Sequence, residues 1–137
     1  MRQDPDYLKL LLNQIQASPE PWPYLSEIEN ETIEADAKML FHLELLEDDG
    51  FIKGPEGVKS FAFHRDGADY LCGDPPIRLT AKGHQFIEAM DQPEIWQTLK
   101  AEAPRASVTT MFDIAKYGLL ASAKASGEAI KTQFGLG

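Results

Sequence analysis

Three prolines alternate with other residues over positions 19–23 and interrupt the N-terminal part of the chain. A helix cannot continue through them, because proline lacks the amide donor and its ring collides with the preceding turn. Before this connector, Asp4-Pro5 is typical of a helix start, and leucines recur at helical spacing as far as Ile15. We therefore predict a first helix over residues 5–17.

Apolar residues three or four apart predict a second helix over residues 31–49. Asn30 or Thr32 is available to cap its start, and Gly50 is placed to end it. The residues that form its apolar side are Ile33, Ala37, Leu40, Leu43 and Leu46.

Short apolar segments separated by Gly, Asp and Pro turns come next, which is typical of a hairpin or a three-stranded antiparallel sheet. The segments are residues 51–52, 58–63, 70–72 and 77–79. Thr80 then caps a further helix, and Gln92-Pro93 opens a short one that ends at Pro104. A last helix is predicted from Ser107 to Phe134.

The chain has 137 residues, of which 43% are hydrophobic and 26% charged, so it can fold as one domain around its own core. We predict an α+β domain over residues 1–103 and a helical C-terminal extension over residues 104–137. The single cysteine, Cys72, excludes an internal disulfide and favours a reducing, cytoplasmic compartment. No apolar run reaches the length of a membrane helix, so we expect no membrane partner.

The order of these elements resembles a winged-helix domain, in which the helix before the wing passes directly into an antiparallel hairpin. Leu45-Leu46 followed by Gly50-Phe51-Ile52 carries that junction, with Gly50 supplying the left-handed turn. The helix that usually lies between the first helix and the recognition helix is replaced by residues 22–25. The sequence therefore predicts a winged-helix-like domain with a helical extension.

Further motifs extend the resemblance to a particular family. They are Met1-Arg2-x-Asp4-x-Asp6-x-Leu8, Phe41-His42-Leu43-Glu44-Leu45-Leu46 with Gly50-Phe51-Ile52, and Leu79-Thr80-x-x-Gly83-His84-x-Phe86 followed by Trp96. Over nearly the whole chain to about residue 100, the sequence resembles the bacterial and prophage family known as domain of unknown function 2513. Ala81 departs from the aromatic residue that is common after the Leu-Thr pair. The resemblance implies a fold and a phage or mobile-element setting, and no activity.

The formal net charge is −9, and the whole excess lies in residues 1–56, which hold four basic and thirteen acidic residues. Nucleic-acid affinity comes largely from cations that displace counterions from phosphates, so such a surface repels nucleic acid. Proteins with basic or neutral surfaces are the predicted partners. Acidity that only maintains solubility is the alternative.

A winged helix places its recognition helix in the DNA major groove. The segment predicted for that role has one lysine among seven acids, which opposes contact with phosphates. Its candidate partner-binding residues are Glu31, Glu34, Asp36, Lys38 and Glu44. The hairpin is more basic, and its candidate wing residues are Lys53, Lys59 and Arg65.

The three histidines and Cys72 are too widely spaced for a compact metal site, and sequence motifs for nucleophilic, phosphate-binding and dinucleotide-binding sites are absent. We therefore predict no catalytic residue, no metal and no cofactor. His42 and His84 are predicted to be structural, with hydrogen bonds that tie helix to sheet. Trp96 is predicted to anchor its short helix in the core.

Small residues dominate the last predicted helix, and residues 121–129 contain no large apolar side chain. Gly118, Ser122 and Ser126 are spaced by four, which permits close approach of another helix, so they form a candidate oligomer face. The tail from Pro104 is mildly basic and can pair with the acidic part of its own or another copy. A homodimer through this helix is one hypothesis.

These patterns favour a non-catalytic protein-binding or regulatory module of a bacterium or prophage. A DNA-binding transcriptional regulator of winged-helix type is one alternative. An acidic DNA mimic that inhibits a host nucleic-acid-binding protein is the other.

Overall fold

The computed structural model describes residues 1–30, 33–34, 36–54, 64–67, 69–71 and 74–133, with the backbone alone for 64–66, 69–71 and 125–133. Its helices are α1 (Pro5–Ala17), α2 (Leu25–Ile28), α3 (Ala37–Asp48), α4 (Ala81–Met90), α5 (Pro93–Glu102) and α6 (Val108–Gln133). Its strands are β1 (Ile52–Lys53), β2 (His64–Asp66), β3 (Asp69–Leu71) and β4 (Arg78–Leu79). The predicted α+β class is confirmed.

Two helices begin where local sequence signals placed them. The Asp4 carboxylate accepts the amide hydrogens of Asp6 and Tyr7 at 3.1 and 3.3 Å and caps α1. The Thr80 hydroxyl accepts the amide hydrogen of Gly83 at 3.1 Å and caps α4. Each cap satisfies donors that a helix start leaves unpaired, which explains why these boundaries can be recognised from a few adjacent residues.

The short helix α2 corrects the prediction that residues 22–25 replace a helix. Its start is stabilised by a distant residue, because the Asp74 carboxylate accepts hydrogen bonds from the Ser26 amide at 2.8 Å and the Ser26 hydroxyl at 2.6 Å. Glu27 also accepts the Tyr24 amide hydrogen at 3.2 Å. The main capping partner lies 48 residues away, so local sequence did not reveal it.

The predicted start of the second long helix was also wrong. Asp36, and not Asn30, caps α3 by accepting the Met39 amide hydrogen at 3.0 Å, and the other predicted cap, Thr32, lies outside the described residues. The Asn30 side chain instead accepts the Ile33 amide hydrogen at 2.9 Å, and Ile33 is fully buried ahead of the helix. The apolar spacing therefore included Ile33, which is buried but lies in the segment before α3 and not in the helix.

The strands form two antiparallel pairs among the described residues. β1 pairs with β4, with Ile52 opposite Leu79, and β2 pairs with β3, with Arg65 opposite Tyr70. An isolated bridge joins Tyr24 to Pro76 beside the first pair. The predicted strand over residues 58–63 lies outside the described residues. Residues 64–66 form β2, and Gly67 follows them with a positive φ of 62°.

One hydrophobic core joins all six helices with the β1–β4 pair. Phe51 lies near its centre, with its ring 4.9 Å from that of Phe86 and 5.2 Å from that of Phe112. Phe112 belongs to α6, and the buried residues of that helix include Met111 and Ala115. The core therefore continues past the predicted boundary at residues 103/104 into the first half of α6.

Candidate interaction surface on α3

The end of α3 is held by a junction with α4. Gly50 ends the helix with a φ of 75°, and the Phe51 amide donates to the Leu46 carbonyl at 2.8 Å. The Thr80 hydroxyl donates to the Gly50 carbonyl at 2.5 Å, and the Lys82 ammonium donates to the Asp49 carbonyl at 2.8 Å. The carbonyls exposed at the end of α3 are thus paired with side chains at the start of α4.

Gly83 completes this junction through the absence of a side chain. A Cβ at this position would lie 2.2 Å from the Phe51 carbonyl oxygen, so only glycine permits the observed approach of α4 to the chain after α3. Lys82 also places its ammonium 4.7 Å from the ring centres of Phe51 and Phe112. The Leu79–Phe86 motif therefore orients α3 and leaves its outer face accessible.

That outer face combines apolar and acidic side chains. Phe41 and Leu45 are half-buried, and Glu44 and Asp48 are exposed beside them. Residues 41, 44, 45 and 48 lie on one side of a helix because they are separated by three or four positions. Among the described residues, no cation forms an ion pair with Glu44 or Asp48. We call these four residues, Phe41, Glu44, Leu45 and Asp48, the α3 surface.

The only lysine of α3 is engaged within the chain. The Lys38 ammonium lies 3.0 Å from the Asp4 carboxylate and 4.6 Å from the centre of the Tyr7 ring. Burial alone would raise the pKa of Asp4, but hydrogen bonds from Lys38 and from backbone amides outweigh that effect and lower it. Lys38 therefore ties α3 to the start of α1, and its charge is partly neutralised by Asp4.

The carboxylates at the end of α3 repel one another, and the negative C-terminal end of the helix dipole repels them too. Partial burial raises the pKa of Glu47, and the adjacent charges of Asp48 and Glu44 raise it further. The last turn has no basic residue, although cations are favoured there because the carbonyl ends of the peptide dipoles are negative. These acids therefore reduce the stability of the helix that carries them.

We expect Glu47→Gln to raise the free energy of unfolding at neutral pH by about 0.5 kcal/mol, because it removes a negative charge from the C-terminal turn. The gain should shrink in mild acid. Since the folded-state pKa of Glu47 is raised, the wild-type carboxyl takes up a proton there and loses its unfavourable charge. Thermal unfolding at both pH values measures this difference.

Glu94→Gln is the matched control, because Glu94 is exposed in the first turn of α5, where a negative charge is favourable. The control should lower stability slightly. A Glu47→Gln variant that is no more stable than wild type at neutral pH would contradict the unfavourable placement of this charge.

A groove of about 520 Å³ adjoins the α3 surface. Phe41 and Leu45 form one wall, the α5–α6 connection forms another, and the N-terminus lies alongside.

The Gln3 side-chain amide holds the groove together through hydrogen bonds to the carbonyls of Ala103, at 3.3 Å, and Ala106. Arg2, Arg105 and Asp49 place charges at the edge of the groove. An apolar helix face or loop could enter it.

The predicted partner-binding residues have different roles in the structure. Glu44 is exposed on the α3 surface, whereas Glu34 is exposed before the helix. Asp36 is used as the cap of α3 and Lys38 as the partner of Asp4. Glu31 lies outside the described residues.

Only one of the three candidate wing residues has a side chain among those that the structure describes. Lys53 is exposed on β1. Arg65 lies on β2, where only its backbone is described, and Lys59 lies outside the described residues.

His42 is a buried structural residue. Its Nδ1 lies 2.7 Å from the Lys38 carbonyl oxygen, and its Nε2 accepts the Asp4 amide hydrogen at 2.9 Å. A neutral imidazole protonated on Nδ1 satisfies both partners. The predicted tie between helix and sheet was wrong for this residue, because His42 joins α3 to the start of α1.

His84 and Trp96 lie nearer the surface than predicted. His84 is exposed, and its Nδ1 lies 3.4 Å from the Gln16 amide nitrogen of α1, so it too contacts a helix and not the sheet. Trp96 is half-buried between Lys9 and Lys100, whose ammonium groups lie 4.6 and 5.7 Å from its ring centre. The neighbouring Ile95 is the buried residue at this point of α5.

Two residues of the candidate oligomer face contact α5, or the residue before it, within the chain. A Cβ at Gly118 would lie 2.7 Å from Cγ1 of Ile95, so this glycine permits close packing of α6 on α5. The Ser122 hydroxyl donates to the Gln92 side-chain oxygen at 3.2 Å. Ser126 is part of α6, but its side chain lies outside the described residues. Spacing alone identified a helix-packing face but not which helix packs there.

The apolar part of the α3 surface was missed by sequence reasoning. Phe41 and Leu45 lie within the predicted second helix, and their three-or-four spacing to Glu44 and Asp48 could have identified a mixed face. The groove itself had no such signal, because residues 103–108 come from more than fifty positions away.

A comparison with protein-family models shows which family the chain belongs to. The family model described as "Hypothetical protein (DUF2513)" matches residues 2–109. The chain belongs to the DUF2513 family. The match ends within the first turn of α6, so the DUF2513 region includes the α3 surface and the junction with α4. Searches of curated proteins and of solved structures gave no match to this DUF2513 protein.

In the described ranges, no group of three or more His, Cys, Asp or Glu residues is arranged to hold a metal ion. Within the same part of the chain, none of the helices combines the length and apolar character needed to span a bilayer.

Proposed function

We propose that this DUF2513 protein is a non-catalytic protein-binding module and that the α3 surface with its groove is the binding site. The observation that carries the proposal is the presence of unpaired carboxylates beside half-buried apolar side chains on one helix face. Such a face suits a protein partner that brings apolar side chains into the groove and cations to Glu44 and Asp48. The stability lost by concentrating acids at this helix end is consistent with selection for binding.

A DNA-binding regulator of winged-helix type is the second candidate. The element order supports it, because three helices precede the β1–β4 pair and the Tyr24–Pro76 bridge adds a third segment beside that pair. In such a domain α3 would approach the major groove. The charge of α3 opposes this function, since Glu44 and Asp48 would face phosphates and Lys38 is already paired with Asp4.

Capture experiments with a matched pair of variants test the main proposal. Wild type, Glu44→Lys/Asp48→Lys and the control Glu88→Lys/Glu94→Lys are used as bait in an extract of the organism that encodes the chain. Glu88 and Glu94 are also exposed acids near helix ends, so the control has the same net charge away from α3 and its groove. We expect a partner that binds wild type and the control and is lost from the α3 variant.

The affinity of the purified partner is then measured for each variant. Reversal of two charges at the binding site should weaken binding by about 100-fold, while the control should stay within about 3-fold of wild type. The proposal fails if no captured protein depends on Glu44 and Asp48.

Anisotropy titration with a labelled random-sequence duplex at low salt tests the second candidate. We expect no saturation at micromolar protein, because the acidic α3 lacks the cations that release counterions. Tight binding with a steep salt dependence, lost on Lys53→Glu, would favour the DNA-binding regulator instead.

A further inference from the structure

Helix α6 has two opposite faces with different environments. The inner face packs on the body of the protein through Met111, Ala115, Gly118 and Ser122. Each residue of the outer face follows a residue of the inner face by two positions, which is a rotation of roughly 200° around the helix axis. The outer face therefore points away from the body. Its residues are Asp113, Tyr117, Leu120 and Lys124, which we call the outer seam.

The outer seam exposes large apolar side chains. Tyr117 is 77% exposed and Leu120 is 58% exposed, while Asp113 and Lys124 are exposed at either end. Neither charge forms an ion pair with another described residue. The body of the protein already occupies the inner face, so no rotation of α6 could bury these residues without exposing Met111 and Ala115.

The spacing of the outer seam is that of a paired helix. Its members are separated by four, three and four positions, which is the 3.5-residue repeat that keeps a seam facing a second helix. The order of the side chains along it is acidic, apolar, apolar and basic. When a second copy of the helix runs in the opposite direction, each acidic residue therefore faces a basic residue and each apolar residue faces an apolar one.

We propose that the outer seam pairs with the outer seam of a second copy in an antiparallel, two-fold symmetric contact. With the axis passing between residues 118 and 119, Tyr117 meets Leu120 of the second copy and Asp113 meets Lys124 of the second copy. Symmetry repeats each contact, so two apolar pairs lie between two charge pairs. The occupant of this face is therefore another copy of the chain.

Charge selects the antiparallel direction. A parallel pair in register would set Asp113 against Asp113 and Lys124 against Lys124, which is unfavourable at both ends. The contact uses one helix from each copy and is small compared with a standard interface of about 1,600 Å². Dimers should consequently dissociate in the micromolar range or above.

Sedimentation of the full chain over a wide concentration range tests the proposal. Wild type should shift from monomer to dimer, and Leu120→Glu should remain monomeric, because it buries an unpaired carboxylate against the second copy. Asp113→Lys and Lys124→Asp should each weaken the dimer by about 10-fold, since each creates two like-charge contacts. The double variant Asp113→Lys/Lys124→Asp should restore the wild-type dissociation constant.

Glu29→Lys is the matched control for a single charge reversal, because Glu29 is exposed at the end of α2, whereas α6 packs mainly on α4 and α5. It should keep the wild-type dissociation constant, and circular dichroism should confirm the helical content of every variant. A wild-type monomer at all concentrations overturns the proposal. So does a dimer that tolerates Leu120→Glu, or single reversals that the double variant does not rescue.

This inference is independent of the proposed partner at the α3 surface. The outer seam lies on α6, and the sedimentation experiment needs only the purified chain. Glu44→Lys/Asp48→Lys should dimerise as wild type does, and Leu120→Glu should still capture the α3 partner. Each proposal can therefore fail without the other.

Discussion

Replacement of Gly83 by alanine is expected to lower the free energy of unfolding by about 3 kcal/mol. The new methyl group would lie 2.2 Å from the Phe51 carbonyl oxygen, which cannot withdraw easily because it accepts the Thr80 amide hydrogen at 3.0 Å. Phe51 is itself fully buried against Phe86 and Phe112. Any movement that relieves the collision therefore disturbs the core. Denaturant unfolding followed by circular dichroism measures the loss.

Gly54→Ala is the matched control for this substitution. A Cβ at Gly54 would have the Pro76 carbonyl oxygen as its nearest neighbour, at an ordinary 3.9 Å. The free energy of unfolding of Gly54→Ala should remain within about 0.5 kcal/mol of the wild-type value. If Gly83→Ala proved as stable as Gly54→Ala, the close contact between α4 and the chain after α3 would not contribute to the fold.

Replacement of His42 by glutamine should lower the free energy of unfolding by about 2 kcal/mol near neutral pH, because a buried pair of hydrogen bonds is lost or misaligned. The imidazole of His42 is fully buried, accepts the Asp4 amide hydrogen and contacts the Lys38 carbonyl. Its ring also lies 4.8 Å from that of Tyr7. His84→Gln is the control, since the one polar contact of that exposed side chain with another described residue is with Gln16 at 3.4 Å, and it should change stability by less than about 0.5 kcal/mol.

The pH dependence of His42 gives this prediction a second test. Burial lowers the pKa of His42, an effect that the Lys38 ammonium reinforces and that the Lys38 carbonyl, Asp4 and Asp36 oppose. The unfolded histidine takes up a proton near its usual pKa of about 6.5, while the folded one does not until lower pH. Wild type should therefore lose stability as the pH falls from about 6.5 toward the folded-state pKa of His42.

Glutamine does not titrate, so the advantage of wild type over His42→Gln should shrink through this window, by up to about 1.4 kcal/mol per pH unit. Unfolding midpoints for both proteins from about pH 7.5 downward give the comparison. A constant difference over that range would show that His42 takes up its proton at the same pH in the folded and unfolded states.

Local patterns predicted α1 and the start of α4 well, and they predicted α2 and the start of α3 less well. The bounds predicted for α1 match Pro5–Ala17, because Asp4 and Pro5 lie beside the helix they start and Ser18 follows its end. The first helix after β4 was likewise indicated by Thr80, three residues before the amide that it caps. In contrast, α2 depends on Asp74, and α3 begins four residues after the buried Ile33 that continues its apolar spacing.

The candidate site was predicted in part for a similar reason. The sequence identified Glu44 and the acidic character of α3, since composition and spacing are properties of one segment. It did not identify the role of Asp36 as a cap or the pairing of Lys38 with Asp4. Nor did it identify the groove, in which Phe41 lies opposite residues from the two ends of the DUF2513 region. Contacts between distant segments decide which charges remain free.

By itself, the sequence determined the α+β class, the distribution of charge and the helices whose caps and apolar stripes are local. Only the tertiary structure decided which side of each helix is covered, and therefore which residues are available to another molecule. Gly118 and Ser122 show the difference, because their spacing suits any close helix contact and the fold assigns them to α5 and its start. Helical spacing reports that one face will be buried, whereas the identity of the covering surface depends on packing across the whole chain.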